Sequence, residues 1–257
     1  MSAPRIPRPV GPGWGRWVGR AIALGFWNTR IVGAENVPKT GPVIVAANHL
    51  GLADGPLMIG CTPRGTHILV KVELFRSPIG FLFRLTGQIP VDRRNGRPAL
   101  TVALALLQRG RVVGIFPEGY RGRGDGSTAR AGVAWLAVHS GAPVVPVAML
   151  GTRRTGEGVG RIPGFRRRLH VEFGEPVTLE GLEGLPRREA VAAAQERLRA
   201  ALADHVRTVA ERTGLGLPTD GPEGLGASGS GGRDGTDADD ADGADAAGAP
   251  SEPPVRP

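Results

Sequence analysis

Short, uninterrupted apolar runs recur along this chain, each too brief for a helix and each followed by a turn or a charged residue. Val43-Ile44-Val45-Ala46-Ala47 is the clearest, set between Gly41-Pro42 and Asn48-His49. A run of that length without polar alternation reads as a strand buried on both faces. His67–Lys71, Gln88–Asp92, Arg111–Phe116 and Val144–Leu150 continue the series, and Leu169–Phe173, which alternates, reads as the last strand. Between them, residues 97–109 place Leu100, Leu104 and Leu107 on one helical face and stop at Gly110. Residues 128–139 and 186–212 also read as helices, the second with Val191, Leu198, Leu202 and Val209 inward. Strands alternating with helices predict a layered α/β domain.

Residues 131–152 contain no Asp, Glu, Lys or Arg, a length that would span a bilayer. The break His139-Ser140-Gly141-Ala142-Pro143 divides the stretch into a helix and a strand instead.

Charge divides the chain. Its formal net charge of +8 splits into +15 on residues 1–217 and −7 on residues 218–257. The acidic segment has only Leu225 and Val255 as large aliphatics and no aromatic residue, so it cannot offset its chain entropy and is expected to be disordered. A solubilising tail is the simpler reading; an acidic pseudo-ligand for the basic body is the other. The cationic body calls for an anionic partner such as a phosphate, a lipid headgroup, an acyl carrier or a nucleic acid. One cysteine, Cys61, rules out an intrachain disulfide and a cysteine-based zinc cage.

The N-terminus does not read as a signal peptide, because its uncharged run, Ala21 to Thr29, is short and no small-residue cleavage site follows. From Trp14 onward the spacing of Trp14, Trp17, Val18, Ala21, Ile22 and Phe26 is helical, with Arg16 and Arg20 interspersed. A cationic helix rich in tryptophan suits a membrane interface; an ordinary helix packed on the core has the same pattern.

Two strand ends carry chemistry. After Val43–Ala47 come Asn48, His49 and, five residues past the histidine, Asp54. About 500° of helical rotation would separate His49 from Asp54, so they meet only if the chain turns, and Gly51 and Gly55 permit that. A carboxylate on one imidazole nitrogen makes the other a better base. A structural histidine beside a helix-capping aspartate would look the same. The second end is Phe116-Pro117-Glu118-Gly119-Tyr120-Arg121, where a guanidinium suited to phosphate follows a turn. Lys71 and the pair Arg93-Arg94 close two further strands.

Together these segments resemble the PlsC-type glycerolipid acyltransferases, the 1-acylglycerol-3-phosphate acyltransferases. The family's Asn-His-x4-Asp block is matched by Asn48, His49 and Asp54, its Asp-Arg strand end by Asp92-Arg93, and its Phe-Pro-Glu-Gly-Thr-Arg block by Phe116–Gly119 and Arg121. Its proline-bearing apolar strand is matched by Val144–Ala148. The likeness covers about residues 20–210; Tyr120 and Gly122 depart from the usual Thr or Ser and Ser.

The resemblance implies a glycerol-3-phosphate acyltransferase-like fold, with a mixed, mostly parallel central sheet flanked by helices. It divides the chain into an N-terminal extension with an amphipathic helix (1–30), an acyltransferase domain (31–217) and the acidic tail (218–257). It implies transfer from acyl-CoA or an acyl-carrier-protein thioester to a lysophospholipid, with no metal or other cofactor. His49 would be the base and Asp54 its orienting partner. Arg93 and Arg121 would hold the acceptor phosphate, Lys71 less directly, while Glu118 and Gly119 would shape the glycerol site.

An enzyme acting on such an acceptor is expected at the cytoplasmic face of the plasma membrane, peripheral or monotopic. Trp14, Trp17, Phe26 and Trp27 would insert, Arg16, Arg20 and Arg30 would meet anionic headgroups, and Arg161, Arg166, Arg167 and Arg168 would extend the contact or receive an acidic donor. Another lysophospholipid or hydroxylated lipid acceptor keeps the same chemistry. A non-catalytic module for anionic membrane or nucleic acid is the competing class, but no nucleic-acid motif appears. A serine esterase would need a Gly-x-Ser-x-Gly elbow, which is missing.

Overall fold

The computed structural model describes residues 6, 7, 11–92, 94–119, 121, 123–125 and 131–220. Their strands are β1 (Asn28–Val32), β2 (Val43–Ala47), β3 (Thr66–Lys71), β4 (Ile89–Val91), β5 (Val112–Ile115), β6 (Val144–Leu150) and β7 (Arg168–Phe173). They form one sheet in the order β1-β7-β6-β2-β5-β3-β4. Strands β2 to β6 are mutually parallel, β7 lies antiparallel to β6, and β1 pairs parallel with β7. The sheet is thus mixed and mostly parallel, as the family likeness implied.

Helices cover both faces, which is why β2 has no polar alternation. Val43, Val45 and Ala47 point into a core shared with Leu57, Met58 and Cys61 of helix α2 (Asp54–Cys61). Ile44 and Ala46 point to the opposite core, against helix α5 (Arg97–Leu107) and helix α6 (Gly132–Ser140). Helix α7 (Arg187–Thr213) closes that second side, burying Ala190, Ala194, Leu198, Leu202, Val206 and Val209. Val191, expected inward, is only half-buried. Short helices α3 (Val72–Arg76) and α4 (Gly80–Leu85) carry the chain from β3 to β4. The charge-free stretch 131–152 is α6 followed by β6, and among the described residues no helix is long and apolar enough to cross a membrane.

One expected face is turned. Helix α5 buries Ala99, Val102, Ala103, Leu106 and Leu107, while Leu100 and Leu104 sit half-buried at its flank. Small residues let the helix lie close to the sheet, and Leu100 reaches sideways to α6, where a Cβ on Gly132 would lie 3.5 Å from its Cδ2. Pro146 sits where the β6–β7 ladder ends, its carbonyl accepting from Gly174 N–H at 2.8 Å, so its missing donor falls at the last rung.

The N-terminal helix α1 (Gly11–Ala21) reverses the ordinary amphipathic arrangement. It buries Gly11, Pro12, Gly15 and Gly19, while Trp14, Trp17 and Val18 face solvent. The glycine stripe lies on α2 so closely that a Cβ on Gly60 would stand 2.2 Å from the Gly19 carbonyl carbon. A π-helical turn, Ile22–Phe26, leads into β1. Trp27, expected to insert into lipid, is instead a core residue at 3% exposure, its indole N–H donating to Pro163 O at 2.9 Å. The expected division near residue 30 falls inside β1, which is paired along its length with β7. The acidic segment beyond Asp220, expected to be disordered, lies outside the described residues.

Buried His67 on β3 donates Nδ1–H to Gly87 O at 2.6 Å, and burial holds its pKa below the ordinary histidine range. The unfolded chain therefore binds a proton that the folded chain resists, and stability falls as pH drops below roughly 6.5. His67→Asn keeps a donor without the titration; between pH 7.5 and 5 the urea midpoint of the parent protein should fall further than that of the variant. Gly60→Ala should lose about 1–3 kcal/mol in the same measurement, because its methyl meets backbone rather than a side chain that can move.

Candidate active site

Parallel strands end at one edge of a sheet, so this topology gathers the sequence-separated polar segments. β2 pairs with β5, β5 with β3 and β3 with β4, with Ala46 opposite Ile115, Ile68 opposite Gly114 and Lys71 opposite Val91. At about 4.8 Å per strand, the four ends span roughly 14 Å. His49 follows β2, Glu118 and Arg121 follow β5, and Lys71 closes β3, all at this edge. Arg93, two residues past β4, lies outside the described residues, as do Tyr120 and Gly122.

The turn after β2 is built on Asp54, the first residue of α2 and fully buried. Its Oδ2 accepts from the backbone N–H of Leu50 at 2.6 Å and of Gly51 at 2.8 Å, and from His49 Nδ1 at 2.8 Å. The two residues that an ideal helix would hold apart therefore meet because the chain wraps one carboxylate oxygen. Nδ1–H donates to this acceptor, which leaves the Nε2 lone pair available. The His49 side chain keeps 15% exposure, enough to be reached, while its partner carboxylate has none.

Neighbouring groups hold the ring in place. Phe116 stacks on the imidazole, centroids 4.1 Å apart and planes within 18°. Asn48 ties the turn to β6 by donating Nδ2–H to Met149 O at 3.1 Å and accepting from Met149 N–H at 2.7 Å. Gly124, at φ +66°, lies where a Cβ would come within 2.2 Å of Leu50 Cδ2 and 3.0 Å of Asn48 Nδ2. The 116–119 segment is a β-turn closed by Gly119 N–H to Phe116 O at 3.1 Å, with Pro117 at its second position and Gly119 at φ +72°. That turn buries Glu118 to 2% exposure, leaves Gly119 and Arg121 half-buried, and lies beside the exposed Lys71 strand end.

The sequence named Phe116 and Asn48 only as members of motifs; their contacts with the ring and with β6 depend on strand order. Arg153 carries no signal in the sequence, though its side chain is buried and its Nη2 pairs with Asp220 at 2.8 Å. Its Cβ is 3.7 Å from where a Cβ on Gly51 would lie, so it backs the histidine turn. A charged residue straight after an apolar strand reads as surface, and nothing local signals otherwise. Cys61 is buried with its thiol pushed up to about 12 by desolvation, which makes it a packing residue. Among the described residues, no cluster of three or more His, Cys, Asp or Glu side chains is arranged to hold a metal.

Asp54→Ala strips acceptors from two buried amides and should lower stability by about 1–3 kcal/mol per orphaned group in urea unfolding. Imidazole 15N shifts should report the Nδ1–H tautomer for His49 in the parent protein, and a mixture of tautomers once Asp54 is removed.

A family model described as Acyltransferase matches residues 28–150, from β1 to the end of β6. The 1-acyl-sn-glycerol-3-phosphate acyltransferase of Bacillus subtilis is 31% identical over 172 residues, covering 66% of this chain and 83% of that protein. The enzyme of the same name from Borreliella burgdorferi is 34% identical over 127 residues, 48% of this chain and 51% of its own length. Among solved structures, the 1-acyl-sn-glycerophosphate acyltransferase PlsC of Thermotoga maritima is similar at a TM-score of 0.62 and 26% identity, with 79% of each chain covered. The matched span contains both polar strand ends and the turn that joins His49 to Asp54. Fold, site motifs and relatives agree, and the chain belongs to the PlsC-type acyltransferase family.

Proposed function

We propose that the protein transfers a fatty acyl group from a thioester, acyl-CoA or acyl carrier protein, to the sn-2 hydroxyl of 1-acylglycerol-3-phosphate, giving phosphatidic acid for phospholipid synthesis. The observation that carries this reading is the imidazole of His49, bound through Nδ1 to buried Asp54 with Nε2 left to act. An alcohol is a poor nucleophile near neutral pH. Nε2 takes the hydroxyl proton as the oxygen attacks the thioester carbonyl. The tetrahedral oxyanion then collapses, the carbon–sulfur bond breaks, and the imidazolium returns its proton to the departing thiolate. Asp54 fixes the tautomer and stabilises the transient imidazolium, and the Phe116 stack limits ring rotation.

The acceptor phosphate is assigned to Arg121 and Arg93, with Lys71 contributing at longer range, and the glycerol to the turn at Glu118 and Gly119. The convergence of β5, β3 and β4 on one edge supports this grouping. The reaction as written draws on no cofactor besides the thioester.

We also assign the protein a peripheral position on the cytoplasmic face of the plasma membrane. Supporting this are the outward Trp14, Trp17 and Val18 of α1, the guanidinium of Arg16 4.3 Å from the Trp17 ring centroid, and the +15 charge of residues 1–217. Arg167, expected to extend the membrane contact or receive an acidic donor, instead forms a two-pronged pair with Glu157 at 2.6 and 2.8 Å.

The test is acyl transfer from labelled acyl-CoA to lysophosphatidic acid. His49→Ala should keep its thermal melt and lose at least about 100-fold in kcat, as for a lost general base. Arg121→Ala should raise KM for the acceptor at least about 10-fold, with Arg121→Lys only partly restoring it. Unchanged turnover in the His49 variant would overturn the mechanism, and a preference for another lysophospholipid in a panel would overturn the acceptor.

A further inference from the structure

Phe165 is the most exposed large apolar side chain among the described residues, at 69%, and Ile162, at 60%, is third after Trp17. Both lie on the connection between β6 and β7, in the sequence Arg161-Ile162-Pro163-Gly164-Phe165-Arg166. Their exposure is not that of a loose loop. Pro163 between them is buried, and its carbonyl accepts the indole N–H of core residue Trp27. Arg166 N–H donates to Phe26 O at 2.8 Å, and Arg167 Nε–H donates to Gly151 O at 2.9 Å. Arg166 adopts φ +59°, a conformation that an L side chain takes at some cost, and it does so where the chain must turn to leave Phe165 outside.

The two apolar tips stand beside a third. Phe165 meets Phe26 edge-to-face, centroids 5.6 Å apart, and Phe26 at 44% exposure ends the segment that begins with α1. Arg161, Arg166 and Arg168 on the same stretch of chain, and Arg30 on the paired strand β1, are exposed, with Arg161 3.9 Å from Glu157. The nearest carboxylate in sequence, Glu157, is held by Arg167, and its pKa is lowered chiefly by that hydrogen bond. Apolar tips on an anchored turn, with exposed guanidinium groups on the same and the neighbouring chain segment, match an anionic bilayer: rings in the acyl region and cations at the phosphates.

We propose that the β6–β7 connection is a second membrane-inserting element, with Ile162 and Phe165 entering an anionic bilayer beside Phe26. It rests on the peripheral-membrane reading above and extends it. Contact through α1 alone would leave the domain free to swivel; a second contact, over a hundred residues away in sequence, fixes the attitude of the sheet.

The test uses the full chain and vesicles of phosphatidylcholine with or without phosphatidylglycerol. Ile162→Ser/Phe165→Ser should keep the parent melting temperature and lose at least about 30-fold in partitioning onto phosphatidylglycerol vesicles. Leu185→Ser, an exposed leucine elsewhere, should bind as the parent does. Because Cys61 is buried and unreactive, a polarity-sensitive dye on Phe165→Cys labels one position; its emission should move to the blue on phosphatidylglycerol vesicles and be quenched by brominated acyl chains. Parent-like binding by the double variant, or a dye that stays in water, would overturn the proposal. Equal binding to neutral vesicles would overturn the role of the arginines. If the parent protein fails to bind vesicles, the membrane reading falls with it, whereas transfer to lysophosphatidic acid in detergent micelles tests the enzymatic reading independently.

Discussion

Much of the site's geometry descends from one carboxylate oxygen. Oδ2 of Asp54 gathers two backbone amides and an imidazole within 2.8 Å, so the fold of the turn and the orientation of the His49 ring are one event. Burying a carboxylate is costly unless its charge is met by donors, and here the donors are supplied by the chain that the charge must organise. A histidine placed by packing alone would have rotational freedom; this one is held at its edge by a charge and on its face by Phe116.

The strand ends converge because the strands are parallel and adjacent, and that follows from their two-sided burial. Val43–Ala47 has no hydrophilic face, so it must lie inside a sheet covered by helices, and covered parallel sheets send their carboxyl ends to a common rim. Asn48 then extends the order past the end of β2 by using its side chain as a surrogate peptide toward Met149.

Strand positions were legible in the sequence because apolar runs report burial directly. Val144–Leu150 was bounded to the residue, proline included. The motif residues His49 and Asp54 are legible for a different reason: they match the family's first block, whereas their spacing says only that they meet if the chain turns. What stayed hidden depends on neighbours distant in sequence. Arg153 and the Phe116 stack require knowing that β6 and β5 flank β2. The face of α5 differs from the expected one because leucine looks like core, whereas alanine makes the closer approach to the sheet. Trp27 differs from Trp14 and Trp17 only in what lies across from it.

The glycine contact between α1 and α2 has a mechanical meaning. α2 carries Asp54 at its first turn and Gly60 six residues later, about 9 Å along its axis. Gly19 rests against Gly60 with no side chain between to absorb displacement. A force on the amino-terminal helix is therefore passed through bare backbone and a stub of two turns to the carboxylate that holds the His49 ring. The helix carrying the outward tryptophans and that imidazole are joined as parts of one lever.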